Sequence, residues 1–178
     1  IKPSNILVMN TQTGMPAAED RVKVMDFGIA SLRESEGATQ VTIDADGKRL
    51  MTPGTPEYMG PELLSAPEPH EQPQVANETS DVYSLGVTFY QMVTNNLPYP
   101  MRGNDVVTAL ADLMNQHKVG DPLPPREHYE FLDDEVNDII LKAISVDPHY
   151  RFRSVDEFKA AIDGIGAGAT IDISPGPE

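Results

Sequence analysis

Two short apolar runs rich in β-branched residues open the pattern, Ile6 to Met9 ("ILVM") and Arg21 to Met25 ("RVKVM"). The segment joining them, "NTQTGMPAAED", supplies Asn, Thr, Gly and Pro, residues that bend a chain, so the two runs predict a two-stranded hairpin with a long tip. From Ile29 to Pro61 neither a two-residue nor a helical period holds, while hydroxyl residues, Gly and Pro recur. That stretch predicts a long loop of the kind that carries function within a compact domain. Pro61 to Ser65 reads as a short helix, and "APEPHEQPQVANE" after it as an exposed loop.

The strongest helical signal follows, from Thr79 to Asn95. Val82, Leu85, Phe89, Met92 and Val93 recur at helical spacing, and Val87 and Tyr90 widen the stripe nearly all round, so this is expected to be the most buried helix, with Tyr83, Phe89 and Met92 in the core. Thr79 or Ser80 is expected to cap it, and "NNLPYP" ends it. Further helices are predicted at Asp105 to His117 (Val106, Leu110 and Leu113 on one face) and at Asp133 to Val146 (Val136, Ile139, Ile140, Ala143, Ile144). A last helix runs from Ser154 to about Ile165, where Ser154 and Glu157 form a capping box. The final "GAGATIDISPGPE", residues 166–178, has little to bury and reads as a linker or disordered end. The fold class is therefore mainly α with a small β-hairpin near the start.

Composition narrows the function. The 178 residues suit one ordinary domain or one lobe of a larger one. Lys and Arg number 13 against 28 Asp and Glu, a formal net charge of -15, which argues against nucleic acid as the main partner. Without a cysteine there is no disulfide, thiolate metal site or cysteine nucleophile. No apolar run has the length of a membrane span and no leader is visible, so the segment reads as soluble and cytoplasmic. The opening "IKPSN" lacks an initiator Met, and the expectation is that the gene extends upstream of Ile1.

Candidate chemistry sits at the ends of the hairpin. Asn5 precedes the first run and Asp26 follows the second, so chain reversal brings an amide oxygen and a carboxylate together, hard ligands suited to Mg. Lys2, three residues before Asn5, adds a cation for phosphate. Singly, such residues often do no more than make turns. His70, His117, His128 and His149 show no metal-ligand spacing, and "DDEVND" is most simply a solvated helix start.

It is the order of motifs that is specific: "KPSN", a hairpin, "DFG", a hydroxyl-rich loop, "GTPEYMGPE", an acidic gap, "SDVYSLG" and "DPHYRFRS". In that order the chain resembles the C-terminal lobe of a eukaryotic-like (Hanks-type) bacterial Ser/Thr protein kinase, over residues 1–165. The resemblance implies transfer of the ATP γ-phosphoryl group to Ser/Thr hydroxyls of a protein substrate, with ATP and Mg as cofactors. The family's His-Arg-Asp-Leu-x-x-x-Asn signature fits if the catalytic Asp immediately precedes Ile1, in which case the N-terminal lobe lies upstream and these residues alone are inactive.

Residue by residue, the resemblance assigns Asn5 and Asp26 to Mg, Phe27 and Gly28 to the mobile motif, and Lys2 to the transferring phosphate. Thr55 is assigned to a substrate-positioning hydrogen bond with Lys2 and the catalytic Asp. Glu62 pairs with Arg151, and Asp81 accepts backbone N–H groups of the catalytic loop. Gly60 stands where the family has Ala, which adds backbone freedom. Ser31, Ser35, Thr39, Thr42 and Thr52 are candidate phosphorylation sites, Thr42 and Thr52 foremost. The alternative is a pseudokinase or scaffold lobe that binds a partner protein, for which Lys2, Asn5, Asp26 and Thr55 would have no chemical use.

Overall fold

The computed structural model describes residues 1–9, 21–25, 55–64 and 76–166. The expected hairpin forms: β1 (Ile6–Met9) pairs antiparallel with β2 (Arg21–Val24), Ile6 facing Val24 and Met9 facing Arg21. Its tip lies outside the described residues. Among the described residues six α-helices follow: α1 (Pro61–Leu64), α2 (Glu78–Thr94), α3 (Val106–Val119), α4 (Pro125–His128), α5 (Asp134–Ala143) and α6 (Val155–Asp163). The chain is mainly helical, as its periodicity implies.

Helix α2 is the hub. One side of it joins Val82 to Ile139, Ala143, Phe152 and Phe158, and the other joins Tyr83, Val87 and Tyr90 to Ile140 and Ile144. A third cluster of Tyr99, Leu110 and Leu113 packs with Leu64 of α1. Hydroxyls buried on α2 still need acceptors, and the carbonyls one turn back in the helix supply some of them. Ser84 and Thr88 donate to the carbonyls of Ser80 and Ser84 at 3.1 and 2.9 Å, so these polar residues sit inside without an orphaned donor.

The cap of α2 differs from expectation. Neither Thr79 nor Ser80 caps it; Asn77 does, accepting from the Ser80 N–H at 3.1 Å, while the Asn77 N–H donates to Ser80 Oγ at 3.4 Å. Asn is a strong cap because its short amide reaches the orphan N–H groups of the first turn. At the other end Asn95 adopts φ 56°, the one non-glycine residue in the left-handed region among those described, and closes the helix.

Elsewhere the boundaries shift by a few residues. Asp105 and Asp133 are caps rather than helical residues, and α5 stops at Ala143, short of Val146. Ser154 caps α6 by accepting the Glu157 N–H at 3.1 Å, but Glu157 returns its bond to the Arg153 N–H, at 2.7 Å, not to Ser154. Two expected core residues face water, Met92 at 71% exposure and Val106 at 55%. Met92 lies at the widened edge of an over-broad apolar stripe, and Val106 is in the first turn of α3, beyond the reach of its buried face. Helix α4 had no periodic signal, being four residues long with Pro125 at its first position, where a missing N–H costs nothing.

Gly86 sets the approach of α2 to α5. A Cβ there would lie 2.7 Å from Ala143 Cβ and 2.8 Å from Ile144 Cγ2, well inside van der Waals contact. Alanine is favoured over glycine in a helix by about 1 kcal/mol, yet Gly86→Ala is expected to lower unfolding free energy by about 1 to 3 kcal/mol through overpacking, measured by urea denaturation. An increase in stability would show that α2 and α5 separate without loss.

Candidate functional site

Pro3 fixes the first residue of a 3-10 turn, Pro3–Asn5, and the Asn5 N–H closes it on the Lys2 carbonyl at 2.9 Å. Lys2 is left extended at the entrance, and its Nζ donates to Thr55 Oγ1 at 2.8 Å, a contact across 53 positions of sequence. Of the expected site residues, these two are brought into direct contact. Asn5 leads straight into β1, and the Met25 N–H donates to its carbonyl at 2.6 Å, so strand pairing sets Asn5 beside the residue that precedes Asp26. Its side-chain amide hydrogen-bonds to no other described residue and offers a hard oxygen of the kind Mg takes. Asp26, Phe27, Gly28 and the candidate phosphorylation sites Ser31, Ser35, Thr39, Thr42 and Thr52 lie outside the described residues.

Thr55 begins a platform. It precedes a second 3-10 turn, Pro56–Tyr58, closed by the Tyr58 N–H on the Thr55 carbonyl at 3.1 Å. Tyr58 is then tied to α2 twice: its carbonyl accepts from Ser84 Oγ at 2.7 Å and its hydroxyl donates to Gln91 Oε1 at 2.6 Å. Sequence reasoning missed both anchors. Ser80, Ser84 and Thr88 recur every fourth residue, with Gln91 near the same face, and that polar ridge on an otherwise apolar helix was the available signal.

Four residues past Tyr58, Glu62 meets Arg151 in the expected ion pair, bidentate at 2.9 and 2.8 Å. Arg151 is fully buried and Glu62 nearly so, with side-chain exposures of 0% and 14%. Every guanidinium N–H has an acceptor, since Arg151 also donates to the carbonyls of Ser145 (2.7 Å), Thr79 (3.1 Å) and Val146 (2.9 Å). Ser80, an unanticipated third member, donates to Glu62 Oε1 at 2.9 Å. Burial alone would raise the Glu62 carboxyl, but Arg151, with help from Ser80, holds it below its ordinary value.

Gly60 works differently from expectation. A Cβ there would come within 2.6 Å of the Glu62 carboxyl carbon, so the glycine makes room for the folded-back carboxylate, and its φ is not in the left-handed region. Asp81 is exposed in the first turn of α2.

Behind the bridge, the Arg151 guanidinium lies 4.7 Å from the Tyr83 ring centroid. The Tyr83 hydroxyl and His117 Nε2 are hydrogen-bonded at 3.0 Å, while His117 Nδ1 is buried without a partner. Burial first, and the Arg151 charge second, push the His117 pKa down to about 4. This histidine is a neutral core residue. His128 and His149 likewise serve local bonds, to Tyr90 and Asp147, and among the described residues no cluster of three or more His, Cys, Asp or Glu could hold a metal.

A family model described as the protein kinase domain matches residues 1–160. Serine/threonine-protein kinase PknB of Mycobacterium leprae is 28% identical over 169 residues, 94% of this chain and 22% of that protein. A probable serine/threonine-protein kinase of Streptomyces coelicolor is 32% identical over 174 residues, covering 96% and 22%. Serine/threonine-protein kinase Pkn1 of Myxococcus xanthus is 31% identical over 163 residues, covering 91% and 20%. The chain thus spans about a fifth of the length of these relatives.

Arg151→Met leaves Glu62 buried without its cation and is expected to cost about 3 to 5 kcal/mol of stability; the paired change Glu62→Leu with Arg151→Met is expected to cost less than Arg151→Met alone. Urea unfolding of the three variants checks both, and a single-variant loss under about 1 kcal/mol would mark the bridge as a surface-like pair.

His117 gives a pH signature. An imidazole in the unfolded chain takes its proton near pH 6.5, and in the fold only near 4, so between those values the unfolded state binds more protons and stability is lost as the pH is lowered. Above 6.5 the effect is absent, and its full size is about 3 kcal/mol. Glu62, held below 4.5, adds its own loss only at lower pH. The expectation is that His117→Gln flattens the stability profile between pH 6.5 and 4.5; an unaltered slope there would assign it to other groups.

Proposed function

The chain belongs to the protein kinase domain family, and on that premise we propose that it supplies the part of a Ser/Thr kinase that binds Mg-ATP and seats the acceptor, for transfer of the γ-phosphoryl group to a protein Ser or Thr hydroxyl. The observation that carries this reading is the Lys2 Nζ to Thr55 Oγ1 bond of 2.8 Å. It joins a cation that can face a phosphate to the first residue of a platform that can face a peptide. The serine/threonine kinase names of the relatives support the choice of acceptor.

In this reading each residue acts by placement. Lys2 sets a point charge against the equatorial oxygens of the transferring group, where negative charge spreads as the bond to the leaving oxygen lengthens. Thr55 orients that ammonium and borders the acceptor. The Tyr58 anchors on α2 hold the platform in register, which matters because positioning supplies much of the acceleration in phosphoryl transfer. Asn5 and Asp26 are the proposed Mg ligands, an amide oxygen and a carboxylate of the right hardness. Magnesium, when bound, supplies positive charge to the ATP phosphates.

The test uses the full-length gene product with labelled ATP and Mg. Wild type is expected to phosphorylate itself or a basic protein on Ser or Thr. Lys2→Met is expected to lower kcat by about 10²- to 10³-fold with the unfolding midpoint unchanged, and Thr55→Val to lower it while Thr55→Ser retains activity. Wild type that neither binds ATP in a Mg-dependent way nor transfers phosphate would leave the scaffold reading in its place.

A further inference from the structure

Between α4 and α5 the chain holds two aromatic rings in water. Tyr129 is 51% and Phe131 78% exposed, and their rings meet edge to face with centroids 6.0 Å apart. Adjacent rings left uncovered forgo the burial that drives folding, and such pairs recur at protein interfaces.

The turn that presents them is tightly held. The Tyr129 N–H donates to the Pro125 carbonyl at 3.2 Å and the Leu132 N–H to the Tyr129 carbonyl at 3.0 Å. The Arg126 N–H donates to Asn137 Oδ1 at 3.3 Å, the Arg126 side chain pairs with Asp134, and Asp133 caps α5. His128 turns inward to the Tyr90 hydroxyl at 3.0 Å, and that hydroxyl donates to the Leu123 carbonyl at 2.8 Å. The rings are therefore displayed on a fixed frame, which lowers the ordering cost of any association.

The charges around the rings are mostly negative: Glu127, Glu130, Asp133 and Asp134 stand against Arg126. Glu127 and Glu130, on either side of Tyr129 in the chain, are exposed; the Glu127 N–H closes on the Pro124 carbonyl at 2.9 Å, which leaves its carboxylate facing outward. Arg126, the nearest Lys or Arg in the sequence, pairs with Asp134, which offsets part of its charge. A ring face carries negative quadrupolar charge and a carboxylate a full one, so both attract the same partner. An anion would be repelled, and a purely apolar partner would have to desolvate two carboxylates.

We propose that Tyr129, Phe131, Glu127 and Glu130 form a docking surface for an arginine-bearing segment of a partner protein. Arginine suits it better than lysine because the planar guanidinium stacks on a ring while its edge bonds a carboxylate. The surface stands whether or not the gene product transfers phosphate.

The experiment is fluorescence anisotropy of a labelled Gly-Ser-Arg repeat peptide titrated with the full-length gene product at low and physiological salt. Tyr129→Ala with Phe131→Ala is expected to weaken binding about tenfold or more, and Glu127→Gln with Glu130→Gln about threefold at low salt. Asp112→Asn with Asp156→Asn, which removes the same charge elsewhere, is expected to change it by less than about twofold. Should the aromatic pair variant unfold, Phe131→Gln alone carries the test, since its ring is the more exposed. Undiminished binding by the aromatic variant, an equal loss in the Asp112 and Asp156 variant, or no binding by wild type would each overturn the proposal.

Discussion

The bidentate bridge between Glu62 and Arg151 is the constraint on which the rest of the arrangement hangs. It closes 89 positions of sequence and does so in a place where charges are costly. Moving two ions out of water loses several kcal/mol of hydration each, and their attraction recovers this only when the remaining donors are also satisfied. Arg151 meets that condition with three backbone carbonyls beside the carboxylate. The consequence is specificity of position: Glu62 has one place to go, and the platform four residues before it is fixed at its far end. Ser80 adds α2 to the same knot, because its hydroxyl bonds Glu62 while its backbone N–H is held by Asn77.

From there the constraint passes along α2. Ser80, Ser84 and Gln91 face the segment from Thr55 to Glu62 in order, bonding Glu62, the Tyr58 carbonyl and the Tyr58 hydroxyl. The opposite side of the helix is committed to α5 through Gly86, whose missing side chain admits Ala143 and Ile144. A platform seated this way has little room to slide, so Thr55 arrives where Lys2 can reach it. The site contact of 2.8 Å is thus an outcome of helix packing more than of any local turn.

How much of this could be read beforehand follows from which forces are local. The hairpin, the helices and their apolar faces were legible because period and turn chemistry act within a few residues; Ile139, Ile140 and Leu113 are buried as expected. The pairing of Glu62 with Arg151 and of Lys2 with Thr55 came through family resemblance, since no spacing rule links residues that far apart. Asn77 was overlooked as a cap because two better-known hydroxyl caps stood next to it, and Ser80 was already engaged by a residue distant in sequence. Gly60 was misread for the same reason: its role depends on where the Glu62 carboxylate folds back, which a dipeptide rule about glycine does not contain. Met92 shows the limit of periodicity, which marks a stripe but not where the neighbouring helices end.

The environment of His117 shows how the bridge shapes residues that never touch it. Tyr83 lies between them, one face toward the Arg151 guanidinium and its hydroxyl on His117 Nε2. Tyr99 also packs edge-on with the imidazole, with ring centroids 4.3 Å apart. A proton on His117 would put a second cation behind Arg151 in a region with little water, raising the energy of the arginine it neighbours. The neutral ring does the opposite, filling the space between α2 and α3 with a group that hydrogen-bonds once and asks for no counter-charge. The unpartnered Nδ1 is the cost of that choice, and it is smaller when that nitrogen is a bare acceptor than when it carries a proton. Helix α3 is therefore held to the bridge through a tyrosine and an uncharged histidine, so the packing of α3 against α1 and the charge state of the Glu62 and Arg151 pair are two aspects of one buried arrangement.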